Sequence, residues 1–428
     1  MRSGIRKQSQ AGAKMSPRYC PRYWLIPPLL LCSWALGQAQ TRPAPLALSE
    51  DDPALVPILV WQLDRGDTAE AEQLLKANLA RIKDRLETVV REIDQEFDII
   101  GRFGAVSIRF GPGYEELEKK NRRYEKLFTL YRRLGGDENL AKRFEARKLR
   151  VEGAHYTNQG ENVCGEQMDW DGAQKLYLLA LERLEAAFAL AKQVNDIRLM
   201  ASTKNNIGST LIRLGRSPEA LRAYQEGLRY AEQAPGDMYT GLVNLNLGNT
   251  YVWLGQPDES LKHSQPALAI FKKIGRGTWE ANALMVIGNA YLRQQKFANA
   301  WETLQLALEV AQQNGEYRVY GRSLLNLGMA GLQLRKSEAI TFLEKALQWY
   351  KDDTEVYPAI EREVVRQDGL RLLSQVAEQT GNTEMAQKYM RELAEALGPD
   401  PERYAALRQS PCFEIYQARP MPQATASR

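Results

Sequence analysis

The sequence predicts an all-α fold, a solenoid of stacked antiparallel helix hairpins, and three observations carry that expectation. Gly208, Gly248, Gly288 and Gly328 recur at an unbroken interval of 40 residues, in NNIGSTLIRLG, LNLGNTYVWLG, MVIGNAYLRQQ and LNLGMAGLQLR. A second turn signal follows about seven residues on, as at Gly215 and Gly255, and a small residue then opens the next helix at Ala220, Ser260, Ala300 and Ala339. Seven residues further stand Gly227, Ala267, Ala307 and Ala346, while Leu211, Leu214, Leu221, Tyr251, Leu254, Leu261, Tyr291, Leu304 and Leu343 supply a helical apolar stripe. Small residues at these points let two helix backbones approach closely, so each unit reads as a helix hairpin. A single hairpin cannot bury both of its faces, so stability must come from stacked neighbours.

The pattern resembles the tetratricopeptide repeat, in its longer variety of about 40 rather than 34 residues per unit, over residues 199–358. The resemblance implies a right-handed superhelix whose concave groove holds a peptide or protein, with no catalytic centre. Two departures stand out: Gln295 replaces the turn glycine of the third unit, and the fourth is one residue shorter between Gly328 and Ala339.

Taken in order, the elements begin with a leader at residues 1–39. It carries Arg2, Arg6, Lys7, Lys14, Arg18 and Arg22, no acidic residue, and the 14-residue apolar run WLIPPLLLCSWALG. Gly37 and Ala39 fit the small-residue positions of a signal-peptide cleavage site, so export with a mature start near Gln40 is expected. The competing reading is an uncleaved anchor, although the run is shorter than the roughly 20 residues that span a bilayer. The whole chain has a formal charge of +4. Without the leader it has 51 basic and 53 acidic residues, so the basic excess belongs to the leader.

A linker at 40–52 precedes an N-terminal helical region at 53–139. There LDRGDTAEAEQLL repeats the turn-to-small spacing at Gly66 and Ala71. Leu75, Leu79, Ile82, Leu86, Val89 and Ile93 then alternate steps of four and three, as in a coiled-coil seam. Leu117, Tyr124 and Tyr131 offer a matching seam, so either an antiparallel hairpin or a homodimer through the same seam is expected. A unit at 140–198 has its turn expanded by TNQGENVCGEQMDWDGA, the four 40-residue units fill 199–358, a capping unit at 359–398 carries Gly381 and Ala386, and 399–428 is an irregular tail. Of four cysteines, Cys20 and Cys32 leave with the leader. Cys164 lies before the array and Cys412 after it, which argues against their pairing and leaves free thiols or an intermolecular bridge.

Catalytic chemistry finds little support. The two histidines, His155 and His263, have no metal-spaced partner and read as structural; no HExxH, GxSxG or P-loop occurs. GPG at Gly111 to Gly113 reads as a turn, and the DWDG at Asp169 to Gly172 lacks the first and last ligands of a calcium loop. The basic segment 119–150 is interleaved with glutamates and reads as a solvated helix face, not a nucleic-acid surface. The sequence thus predicts no cofactor, no metal, no nucleic acid and no stable membrane insertion after the leader is removed.

The expected partner is a protein or peptide segment. Asn206, Asn246 and Asn326 stand two residues before the recurring glycine, Asn249 and Asn289 one after it, and Arg213, Trp253 and Arg293 five after it. These offsets fall near one helix face, and Arg322 joins the set on the fourth first helix. Tetratricopeptide relatives use comparable positions on the concave side, so the resemblance implies that these residues meet the ligand. Side-chain amides can grip a peptide backbone without regard to its sequence, while Trp253 and the arginines favour an acidic or carboxylate-bearing segment. The competing function is an assembly factor acting through the coiled coil and the convex surface; an enzyme with an unrecognised site is the third reading.

Overall fold

The computed structural model describes residues 54–104, 111–233, 238–352, 358–397 and 411–412. The expected leader, the linker at 40–52 and all of the tail except 411–412 lie outside the described residues. Among the described residues there are sixteen α-helices and no strand. They are α1 (Leu55–Arg65), α2 (Thr68–Ala77), α3 (Ile82–Gly104), α4 (Gly111–Arg133), α5 (Glu138–Asn162), α6 (Trp170–Gln193), α7 (Ile197–Arg213), α8 (Ser217–Ala231), α9 (Met238–Trp253) and α10 (Pro257–Lys273). There follow α11 (Gly277–Arg293), α12 (Phe297–Gln313), α13 (Tyr317–Gln333), α14 (Glu338–Asp352), α15 (Ala359–Gln379) and α16 (Thr383–Leu397). From α5 onward each odd-numbered helix packs on the even-numbered one after it, each even-numbered helix on the next odd one, and successive odd-numbered helices on each other. The result is a helical solenoid with the first helices of all hairpins on one side and the second helices on the other.

The recurring glycine is a contact residue. A Cβ at Gly208 would stand 2.5 Å from the ring of Tyr224 on α8, and one at Gly248 would stand 3.2 Å from the Ser260 carbonyl oxygen on α10. Only the absence of a side chain lets first and second helices close to that distance. The turn between them has a different requirement. Gly255 sits at φ +71°, and the amide of Gln256 donates to the Tyr251 carbonyl at 2.9 Å, satisfying the orphan carbonyls at the end of α9. Gln295 adopts the same left-handed geometry at φ +58° with the equivalent bond from Lys296 to Tyr291, so the third unit keeps the turn and bears the strain of a Cβ there.

Four expectations change. The seam from Leu75 to Ile93 is not one helix: α2 ends at Ala77, the Asn78 side chain donates to the Leu74 carbonyl at 2.8 Å, and α3 begins at Ile82. Ile82, Leu86, Val89 and Ile93 are buried, but α3 packs against α1, α4 and α5 together, so the seam serves the solenoid and not an isolated coiled coil. The expanded turn of the 140–198 unit is mostly helix, because α5 runs on to Asn162 and only a π-turn at Val163–Gln167 separates it from α6. Gly111 to Gly113 open α4, where a proline in the first turn sacrifices no helical hydrogen bond. Finally, Cys164 and Cys412 are joined in a disulfide with Cα atoms 5.1 Å apart. Chain order misled on this point, since curvature of the solenoid brings α15 against the π-turn after α5.

Candidate functional site

The inner surface follows from the glycine. That residue faces the second helix, and at about 100° per residue the offsets −6, −2, +1 and +5 lie roughly 100–160° around from it, on the side away from the second helices. The contact of Gly160 with Tyr177 of α6 places a further first helix, α5, in the same register, whereas Gly369 meets Leu347 of the preceding α14 and lies on another face of α15. The −2 row then reads Asn158, Asn206, Asn246, Val286 and Asn326. Asn158 was missed by the sequence reading, because the glycine spacing there is 48 residues instead of 40.

The amides divide into those that join neighbours and those that do not. Asn246 Nδ2 donates to Asn205 Oδ1 at 2.8 Å and Asn326 Nδ2 to Asn289 Oδ1 at 2.6 Å, each bond tying adjacent first helices. Yet Asn158 Oδ1, Asn206 Nδ2 and Asn326 Oδ1 are buried and have no hydrogen-bond partner. A buried polar group left unpaired is costly, so these atoms call for a ligand group or solvent.

Two of the three arginines, Arg213 and Arg322, are compensated within the chain. Arg213 Nε donates to Glu161 at 2.6 Å, and Arg322 donates to Glu361 through Nε and Nη2 at 3.1 and 2.9 Å. Arg318 binds the other oxygen of Glu361 at 2.9 Å. Burial pushes the Glu361 carboxyl up, but the two guanidiniums outweigh it and hold it below the usual carboxylate range. Nearby Glu316 is 2% exposed and has no such direct partner; burial pushes it up to about 7 against the pull of Arg318 and Arg322. Trp253 is exposed, and Asn249 and Arg293 are half-buried on the same face.

At the other end of the first helices the inner face is already occupied. Asp94 on α3 accepts from Arg147 Nε at 2.7 Å and from Arg150 Nη2 at 2.8 Å, both on α5. Arg150 also donates to Ser202 on α7 at 2.7 Å, and the Tyr239 hydroxyl on α9 donates to Asp98 at 2.7 Å. Two carboxylates one turn apart on α3 are thus linked to three consecutive first helices. Arg150 is 1% exposed and lies over the Phe97 ring at 4.0 Å. Burial draws its pKa down, but Tyr239, Asp94 and Asp98 more than restore it.

The two histidines are held within this framework. His155 Nδ1 sits 2.5 Å from Glu118, and His263 Nδ1 sits 2.9 Å from Asn244 Oδ1, with burial lowering the His263 pKa. The DWDG stretch caps a helix: Asp169 accepts from the Gly172 amide at 2.9 Å at the start of α6. Among the described residues no three His, Cys, Asp or Glu side chains cluster as a metal site would need, and no helix is long and apolar enough to cross a membrane.

This hairpin geometry defines a class, and comparison with known proteins gives it a name: tetratricopeptide repeats are recognised at residues 200–236, 239–313 and 279–352. No curated protein matches the chain in sequence. Among solved structures, the apo form of RapI is 13% identical, with 66% of this chain and 93% of that one covered and a TM-score of 0.46. Aspartyl phosphate phosphatase F from Bacillus subtilis is 13% identical, with 83% and 96% covered and a TM-score of 0.45. A signal-transduction ATPase with a tetratricopeptide repeat sensor from Pyrococcus horikoshii is 16% identical, with 85% and 49% covered and a TM-score of 0.45.

Proposed function

We propose that this chain is an exported, noncatalytic tetratricopeptide-repeat scaffold that holds an extended segment of a protein partner along the inner face of α5 to α15. The observation that carries this reading is the −2 amide row, three of whose buried polar atoms have no partner within the chain. An amide both donates and accepts, as a peptide backbone does, so a strand-like segment laid across the first helices would satisfy them whatever its side chains. Each bond contributes a net of roughly 0.5–1.5 kcal/mol, so a few of them give micromolar or weaker affinity before side chains add to it. Selectivity comes from Trp253 and from Arg213 and Arg293: an acidic or carboxylate-bearing ligand exchanges with Glu161 for Arg213, a replacement of one carboxylate by another. Export rests on the basic, apolar and small-residue order of residues 1–39, and amino-terminal sequencing of the mature protein should begin near Gln40.

The test is crosslinked capture from the native compartment, followed by binding of the identified segment to Asn246→Ala/Asn249→Ala and Arg213→Ala/Arg293→Ala proteins shown to be folded. Losing two such bonds should weaken binding by about 5- to 150-fold. Unchanged affinity in both variants would remove the groove from the mechanism and leave the convex surface or a homodimer, which light scattering would register.

A further inference from the structure

In a solenoid each hairpin packs on its sequence neighbours, yet α15 touches the π-turn that ends α5, with four hairpins between them. The repeat pattern does not require that contact. It is built around Cys164 and Cys412, 248 residues apart in sequence, bonded to each other and both fully buried. Ile360 and Val364 of α15 and Ala173 and Tyr177 of α6 complete the buried cluster, with Leu214 packed against it. The inner face begins at the same corner, since Arg213 precedes Leu214 and its partner Glu161 lies three residues before Cys164.

We propose that this disulfide is a redox-operated clasp: oxidised, it holds residue 412 in the junction and closes α15 onto the end of α5; reduced, it lets residue 412 leave and the junction open while the repeats stay folded. The inference is independent of what the inner face binds. Fourteen residues separate Leu397 from Cys412, a length that extends to about 50 Å, so the sulfur bridge is what keeps residue 412 at α5 once the local packing yields. The reductant is a dithiol. Its thiolate attacks one cysteine sulfur and expels the other as a thiol; its second thiol then displaces the first cysteine. Two electrons and two protons pass to Cys164 and Cys412, and the reductant leaves as its own disulfide. Because both sulfurs are buried, attack waits on transient opening of the junction, so reduction is slow compared with an exposed bridge.

The experiment is hydrogen exchange on the full chain with and without dithiothreitol, the state of Cys164 and Cys412 being read by alkylation and mass spectrometry. On reduction, Val163–Gln167 and the first turns of α15 should exchange at least tenfold faster while α9 to α12 keep their rates. Cys412→Ser should show the fast rates without reductant and no response to it; should that variant not fold, the unmodified protein alone decides. Three results overturn the proposal: unchanged exchange at the junction after verified reduction, faster exchange throughout α5 to α16, which marks a global staple, or alkylation of both cysteines before any reductant is added.

Discussion

Replacing Asp94 by Asn tests whether α3 is fixed to the first helices by charge. The carboxylate accepts from Arg147 at 2.7 Å and from Arg150 at 2.8 Å, and Arg150 is 1% exposed. Removing one partner of a buried pair ordinarily costs about 3–5 kcal/mol, because the remaining charge is stranded. Here the loss is smaller. Arg147 keeps Asp196, Arg150 keeps Ser202 and the Phe97 ring, the Asp94 side chain is 29% exposed, and Asn still offers one acceptor. A cost of about 2–3 kcal/mol follows, felt locally at α3 because stability in a repeat array is distributed over cooperative units. Hydrogen exchange should therefore quicken roughly 30- to 150-fold in α3 and the facing turns of α5, with little change in α11 to α16. A second variant, Asp94→Leu with Arg150→Met, should restore much of the protection, since apolar side chains of similar size often replace a buried pair without loss. If Asp94→Asn left α3 exchange within a factor of two or three of the parent, the ion pairs would contribute nothing and apolar packing alone would hold the helix.

Gln295→Gly should stabilise the third unit by about 1 kcal/mol by relieving its φ of +58°, and a lowered local denaturation midpoint would contradict this. Gly208→Ala should act in the other direction by about 1–3 kcal/mol, because the new Cβ meets the Tyr224 ring at 2.5 Å; Tyr224→Leu in the same chain should recover part of the loss. Glu316 holds its proton more tightly folded, at about 7, than unfolded, at 4.5, so the stability it contributes is complete below about pH 4.5 and is lost as pH rises to about 7, up to about 3 kcal/mol. Glu316→Gln should flatten stability across that window, and a profile parallel to the parent's between pH 5 and 7 would show that Glu316 ionises without cost.

The repeat itself was legible in the sequence because it is local. A glycine that lets two helices touch, a turn residue at positive φ and a small residue opening the second helix act within one hairpin, so their spacing records the geometry directly. The offsets of Asn206, Asn246 and Asn326 were readable for the same reason, since helical periodicity fixes which residues share a face. Asn158 was not, because a longer helix and connection shift its glycine out of the 40-residue interval, and only the contact of Gly160 with Tyr177 of α6 restores the register. Nor does any local pattern show that Asp94 and Asp98 meet Arg147, Arg150 and Tyr239, or that Glu161 and Glu361 neutralise Arg213 and Arg322; those pairings join helices dozens of residues apart. The Cys164–Cys412 bond is the extreme case. Chain order set the two cysteines on opposite sides of the array, but small rotations accumulated over successive hairpins return α15 to the end of α5, and that curvature exists only once the hairpins have stacked.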